Sequence, residues 1–432
     1  MDILVYSHSL SPRLRYIFKQ IFSSILKIDI VFTEDKEFFI NSDSFKISYT
    51  HRPLCNELFF KSTDLLFQKS ILNQEISVFE YKSFPCFFPC EGSCLPFDPF
   101  ASSFFMLSRY EEYLPQIKDK FGRFEAKESF AFKNGFLNKP VVDIWSNMIK
   151  EEVVNYYPKF HFPNKSYRFL NTIDIDNAYA YLEKGWLRNL GGFFRDVIQR
   201  RNPLKRLKVI FTKKDPYDTF NQLLYLHKQY NLNTTFFFLL ADYGINDKNV
   251  PVTSRRLISQ IQQVSDYCNV GLHTSFASLS KNKKLKLELN RLMDIIHTEV
   301  LYTRQHFIKL DIPRMYRNLV KFGVKHDFSM GFASKPGFRA GTCNPYLFYD
   351  LDLENETDLS IHPFVIMDVT LNDYMNLSPS ESLSLIKEII NEVKNVNGDF
   401  ISIWHNESLN FQDRWSGWKG VYEEMIKYAI KY

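Results

Sequence analysis

Two short segments hold the residue types best suited to chemistry: Thr172-Ile173-Asp174-Ile175-Asp176 and Trp404-His405-Asn406-Glu407. Each closes an apolar run that reads as a buried strand. A strand sends residues i and i+2 to one face, so Asp174 and Asp176 should project together. Two adjacent carboxylates at the end of a buried strand are costly unless a cation or a reaction uses them. His405 has the titration range of a general acid or base. Gly271-Leu272-His273-Thr274 ends another short apolar run in a histidine. In Tyr302-Thr303-Arg304-Gln305-His306-Phe307 the alternation predicts Arg304 and His306 on one strand face, and an arginine aimed there calls for an acidic partner such as Asp174. Gly337-Phe338-Arg339-Ala340-Gly341 is a glycine-flanked loop with a second arginine, although most such turns bind nothing. A single buried histidine is more often a satisfied core residue than a ligand. The set together makes an enzyme the leading reading.

The elements that must position these residues alternate along the second part of the chain. Strands are expected at Tyr167–Ile175, Thr234–Leu240, Val270–His273, Val300–Phe307, His326–Gly331, Leu359–Met367 and Phe400–His405. Helices are expected to begin near Asp215-Pro216 and to cover Ser254–Tyr267, Lys284–His297, Pro313–Phe322 and Pro379–Val393. Repeated β-α units with buried strands favour a parallel sheet or barrel, and seven strands suggest an incomplete barrel. Chemistry in such folds gathers at the C-terminal strand ends, where Asp174, Asp176, His273, Arg304, His306 and His405 fall. The turn-rich stretch Pro158–Ser166 divides this region, 165–432, from a smaller α/β domain over 1–160. That domain opens with a strand at Met1–Tyr6 and a helix through Ile25, with further helices at Pro99–Leu114 and Val141–Tyr157.

With 432 residues, 45% of them hydrophobic, the chain can fill two substantial cores. A formal charge of +5 is too mild to argue for nucleic acid. No apolar run is long enough for a membrane span, and the N-terminus lacks the features of a signal peptide, so a cytoplasmic protein is expected. Cys86, Cys90 and Cys94 recur every four residues, but the spacing is not that of a zinc ribbon, and reduced structural thiols are expected.

On these motifs, residues 165–410 resemble the polysaccharide deacetylase superfamily, whose members include chitooligosaccharide and peptidoglycan deacetylases. The resemblance implies a distorted (β/α)7 barrel and metal-dependent hydrolysis of an N-acetyl group on a sugar. It implies that Asp174 is the base and Asp176 a metal ligand, that His273-Thr274 opens the metal-binding histidine motif, that Arg304 steadies the base and that His405 protonates the leaving amine. The second histidine of that motif is replaced by Ala277, leaving the usual ligand set one short. Strand geometry offers His306 as the third ligand, so a divalent metal, with zinc the first candidate, would be held by Asp176, His273 and His306. Arg339 could contact a sugar hydroxyl, carboxylate or phosphate, and Trp404 could stack on a sugar face. The N-terminal part, through Phe97-Asp98-Pro99-Phe100 and Ser108–Tyr113, is similar to a domain of unknown function that precedes such barrels in bacterial surface-polysaccharide proteins.

Residues 188–214 are rich in Arg and Lys against a single acid, Asp196, with apolar residues interleaved. They read either as a solvated helical insert or as a basic amphipathic element that contacts anionic membrane, suiting an enzyme for a lipid-linked or nucleotide-linked sugar. Two other functions compete with the deacetylase. Ala277 favours a catalytically degenerate barrel that binds glycan or acts as a scaffold. A glycosidase using Asp174 and Asp176 is disfavoured, because its two carboxylates would have to flank the scissile bond.

Overall fold

The computed structural model describes residues 2–198, 204–410 and 412–431. The first sheet has four parallel strands, β1 (Ile3–Tyr6), β2 (Ile30–Thr33), β3 (Phe45–Thr50) and β4 (Leu58–Lys61), in the order β2-β1-β3-β4. All four residues of β1 are buried, as befits a central strand covered on both faces. The chain then enters a helix at Pro12, capped by Ser11, whose Oγ accepts from the Leu14 N–H. A small antiparallel hairpin follows, β5 (Phe79–Tyr81) with β6 (Phe84–Cys86). The helix Pro99–Leu107 is fully buried and is capped by Asp98, and Val141–Tyr156 forms the longest helix of this part.

The second sheet holds the residues singled out above. Its strands are β7 (Arg168–Ile175), β8 (Asn233–Leu239), β9 (Asn269–Thr274), β10 (Tyr302–Gln305), β11 (His326–Asp327), β12 (Tyr346–Asp350), β13 (Asn355–Ile361), β14 (Ile366–Met367) and β15 (Asp399–His405). The order is β12-β13-β11-β10-β9-β8-β7-β15-β14, parallel throughout except for β12, which pairs antiparallel with β13. The parallel run begins at β13 and finishes at β14, and these two strands are joined only by residues 362–365, so the two margins of the run lie next to each other in the chain. Register sets His405 beside Asp174 and Arg304 beside His273. Helices Arg255–Ser265, Asn282–Ile296, Arg314–Lys321 and Pro379–Asn395 connect the strands, the last opened by a complete capping box of Ser378 and Glu381.

Besides the helix expected over Pro99–Leu114, which ends at Leu107, and the strand expected over His326–Gly331, which ends at Asp327, four elements differ from the sequence reading. The expected strand Leu359–Met367 is divided into β13 and β14 by His362-Pro363, and Pro lacks the N–H that a continuous ladder needs. β12 has no counterpart among the expected strands. Asp215-Pro216 is a turn rather than a helix start: the Asp215 carboxylate accepts from the N–H groups of Ala180, Tyr181, Leu182 and Tyr217, and the helix begins at Phe220. β10 stops at Gln305, so His306 lies in a one-turn 3₁₀ segment, His306–Ile308.

One apolar cluster runs without interruption from Ile3 in the first sheet to Ala429 in the C-terminal helix. The two parts are tied by polar contacts as well. Asp143 accepts from Thr342, Cys343 and Asn344, and Tyr16 donates to the Leu347 carbonyl. The six cysteines are free thiols, and burial pushes those of Cys86 and Cys90 up to about 12.

Candidate active site

Asp174, Asp176, His273, Arg304, His306 and His405 converge at the C-terminal ends of the parallel strands. Asp176 stands one residue beyond β7, and its carboxylate faces two imidazoles, with His273 Nε2 3.0 Å from Oδ1 and His306 Nε2 3.3 Å from Oδ2. Both histidines have their other ring nitrogen occupied. His273 Nδ1 lies 2.9 Å from the Arg304 carbonyl, and His306 Nδ1 lies 2.9 Å from Asp247 Oδ1. A carbonyl can only accept, so Nδ1 of His273 is its N–H, and in the neutral ring Nε2 presents a lone pair to Asp176. Asp176 Oδ1 is sealed from solvent without a hydrogen-bond donor, although 35% of the side chain faces the mouth. Acceptor opposed to acceptor at this range fits a cation between them. Asp176, His273 and His306 are the single group among the described residues whose donor atoms lie close enough together to hold a metal ion. One carboxylate oxygen and two imidazole nitrogens are donors zinc accepts.

As cations the imidazoles would themselves offset the carboxylate, and a bound metal would replace that positive charge. Burial would raise the Asp176 pKa, but His306, His273 and His405 outweigh burial and hold the carboxyl well below its usual range. Burial would lower the His306 imidazole, but Asp176 and Asp247 instead raise it to about 9.

Asp174 is almost wholly buried. Its Oδ1 accepts from Arg304 Nη1 at 2.7 Å, and its Oδ2 lies 3.7 Å from His273 Nε2. Arg304 is itself held in place by the Phe328 carbonyl, the Thr172 hydroxyl and the Phe237 ring beneath its guanidinium. On the opposite side His405 Nδ1 lies 2.7 Å from Asp368 Oδ1, while its Nε2 points inward, 3.9 Å from Asp176 Oδ2. Burial opposes a charged imidazole there, yet Asp368 and then Asp176 and Asp174 raise the His405 pKa well above the ordinary histidine value.

Two expected ligand-contacting residues are placed elsewhere. Trp404 is fully buried against Trp418 and Tyr422, because the alternation that turns His405 inward turns its neighbour outward into the helices. It offers no face to a sugar. Arg339 lines a cavity of about 620 Å3 but is committed to Glu112, through Nε at 2.9 Å and Nη2 at 2.6 Å, and to the Gly331 carbonyl. Arg109 holds the same carboxylate, so Glu112 joins the two parts of the chain and Arg339 serves that junction.

Sequence reasoning missed Asp247, Asp368 and Arg123. Asp368 follows Ile366-Met367 as Asp174 follows Thr172-Ile173, so an acid closing an apolar strand was a usable signal. Asp247 lies in a loop without such a pattern; it also accepts from the backbone N–H groups of Phe276 and Ala277. Arg123 belongs to the N-terminal part. It donates through Nη1 to the Phe307 carbonyl and through Nη2 to the Tyr374 hydroxyl. It thereby grips the turn carrying His306, in which Phe307 and Ile308 both have left-handed backbone angles.

A family of unknown function, DUF7033, matches residues 3–158. No curated protein matches the chain. Similar solved structures include a candidate polysaccharide deacetylase from Mycobacterium smegmatis, 15% identical, covering 62% of this chain and 86% of that one with a TM-score of 0.42. A polysaccharide deacetylase from Bacillus cereus is 12% identical over 61% of this chain and 86% of that one, with a TM-score of 0.32. A CE4 family pseudoenzyme from Bacillus anthracis is 11% identical over 61% of this chain and 62% of that one, also with a TM-score of 0.32.

Proposed function

We propose that this chain is a metal-dependent carbohydrate deacetylase, built on a distorted (β/α)7 barrel over residues 165–432 behind an α/β domain over 1–160. It hydrolyses an N-acetyl group on a sugar, carried on a lipid or a nucleotide, during the making of a surface polysaccharide. The observation that carries the reading is the order of groups across the mouth: an arginine-held carboxylate, a three-donor ligand group, and a carboxylate-held histidine.

Asp176, His273 and His306 would hold a divalent cation, zinc by donor type, which when bound supplies Lewis acidity toward a carbonyl oxygen and toward water. Arg304 fixes Asp174 Oδ1, leaving Oδ2 to take the proton of the attacking water. Asp368 engages His405 Nδ1, so the proton facing the site is the one on Nε2. The raised pKa keeps that proton in place near neutrality, ready for the departing amine. Amide and water thus become acetate and amine with both proton transfers assigned to side chains.

The test is acetate release from N-acetylated sugar oligomers and carrier-linked sugars by zinc-loaded protein. Asp174→Asn should lower kcat by roughly 100-fold or more. Unchanged turnover of every responsive substrate by that variant would sink the assignment. The alanine at 277 favours the second reading, a degenerate glycan-binding barrel; sugar binding without acetate release in fully zinc-loaded protein would select it.

A further inference from the structure

After the aspartate-bearing strand the chain forms two helices, Trp186–Ile198 and Leu204–Thr212. Among their described side chains the buried ones are a charged pair, Asp196 and Arg206. Arg206 Nη2 lies 3.0 Å from Asp196 Oδ2, Nη1 donates to Asn189 Oδ1, and the guanidinium sits over the Tyr181 ring. Gly192 makes room for this, since a Cβ there would stand 2.5 Å from Arg206 Nη2. Large apolar side chains face outward instead: Leu190, Val197 and Leu207, with Ile198 81% and Phe211 82% exposed. Ile245, 88% exposed, lies on the loop after β8, which Arg188 ties to the first helix by stacking on Tyr243 and donating to the Asn249 carbonyl. The same loop supplies Asp247 to His306, so this surface borders the mouth of the candidate site.

An apolar stripe turned to solvent needs something to cover it. Its charge decides what. Lys205, Lys208, Lys213 and Lys214 are exposed on or beside the second helix, and the one carboxylate in these two helices is Asp196, engaged with Arg206. A second copy of the chain would set lysine against lysine. Lysines flanking an apolar face match anionic headgroups lying over acyl chains. Lys184, Lys205, Lys208 and Lys214 also line a cleft of about 1320 Å3, shared with Asn177 and Tyr217, that leads from the loop of Asp176 toward the helices.

We infer that the helical pair Trp186–Ile198 and Leu204–Thr212 is a docking surface for an anionic lipid bilayer, with Ile198, Phe211 and Ile245 entering the interface and the lysines meeting the headgroups. The inference rests on polarity and charge and stands apart from the reaction proposed above. It is tested by cosedimentation of the whole chain with phosphatidylcholine vesicles, with and without an equal share of phosphatidylglycerol. Binding should be roughly tenfold or more stronger to the anionic vesicles and should weaken with salt. Ile198→Asp with Phe211→Asp, and separately Lys208→Glu with Lys213→Glu and Lys214→Glu, should each lower that affinity about tenfold while melting temperature and zinc content stay as in the wild type. Absence of binding to anionic vesicles, or wild-type binding by the apolar double variant, overturns the inference. A dimer in solution that Phe211→Asp dissolves would also overturn it by assigning the surface to a second copy.

Discussion

In the proposed ligand group His306 stands in for the histidine that the resemblance expects at position 277, and it does so from a turn. The Asp247 carboxylate links the two positions: it accepts from the Ala277 N–H and also holds His306 Nδ1. Outer partners that orient a ligating imidazole matter nearly as much as the ligand. Asp247→Ala should therefore weaken zinc binding roughly 10- to 100-fold, measured by competition with a zinc chelator. Another histidine gives a pH signature. His362 is stacked on Phe328 and hydrogen-bonded to His326, and burial, aided by His326 and Arg168, lowers its pKa to about 3. The unfolded chain takes that proton near 6.5, so the stability His362 contributes is intact above about pH 6.5 and is lost as pH falls toward 3. His362→Phe should flatten the fall in melting temperature between those values, by about 2 °C or more; a slope equal to that of the wild type would contradict it. The aspartates, His273 and His405 could be singled out because each closes an apolar run, and Arg304 by its alternation with His306. Trp404 was misread because alternation was not carried one residue further, which places it on the helix side of the sheet whenever His405 faces the site.

Among the elements, the turn His306–Ile308 depends most on its surroundings. Two consecutive non-glycine residues in left-handed conformation persist only when neighbours over-determine them. Arg123 is one such neighbour, and Phe121 packs against Phe307 with ring centroids 5.1 Å apart. Arg123→Ala should lower zinc affinity about tenfold with little change in the far-ultraviolet dichroism, and Arg123→Lys should recover part of it. The segment was read as strand from Val300 to Phe307 because composition alone does not show where pairing stops. The junction at Glu112 is the second dependent element. Glu112 is buried with Arg109 and Arg339, and these two guanidiniums keep its carboxyl ionised against burial. Glu112→Gln would leave two buried cations short of charge and should destabilise the fold by roughly 3–5 kcal/mol in chemical denaturation. Nothing in local sequence pairs residues so far apart, so Arg339 looked like a loop arginine open to substrate.

At the scale of the whole molecule, the alternation of strand and helix in the second part was readable because hydrophobic period is a local signal. The docking of the two parts was not, since it rests on long-range pairs such as Asp143 with Thr342 and Arg123 with Phe307. With one apolar core running through both, the chain should melt in a single transition, and residues 165–432 produced alone should lose compact structure by near-ultraviolet dichroism.

Metal content decides whether Asp176, His273 and His306 form a rebuilt ligand group. Wild type, His273→Ala and His306→Ala should be purified without chelator, exposed to zinc, dialysed and assayed for zinc by elemental analysis beside a circular-dichroism check of folding. Near one zinc per wild-type chain, lost from both folded variants, is the predicted result. Full zinc retention by folded His306→Ala, or no tightly held zinc in the wild type, would rule out that ligand group.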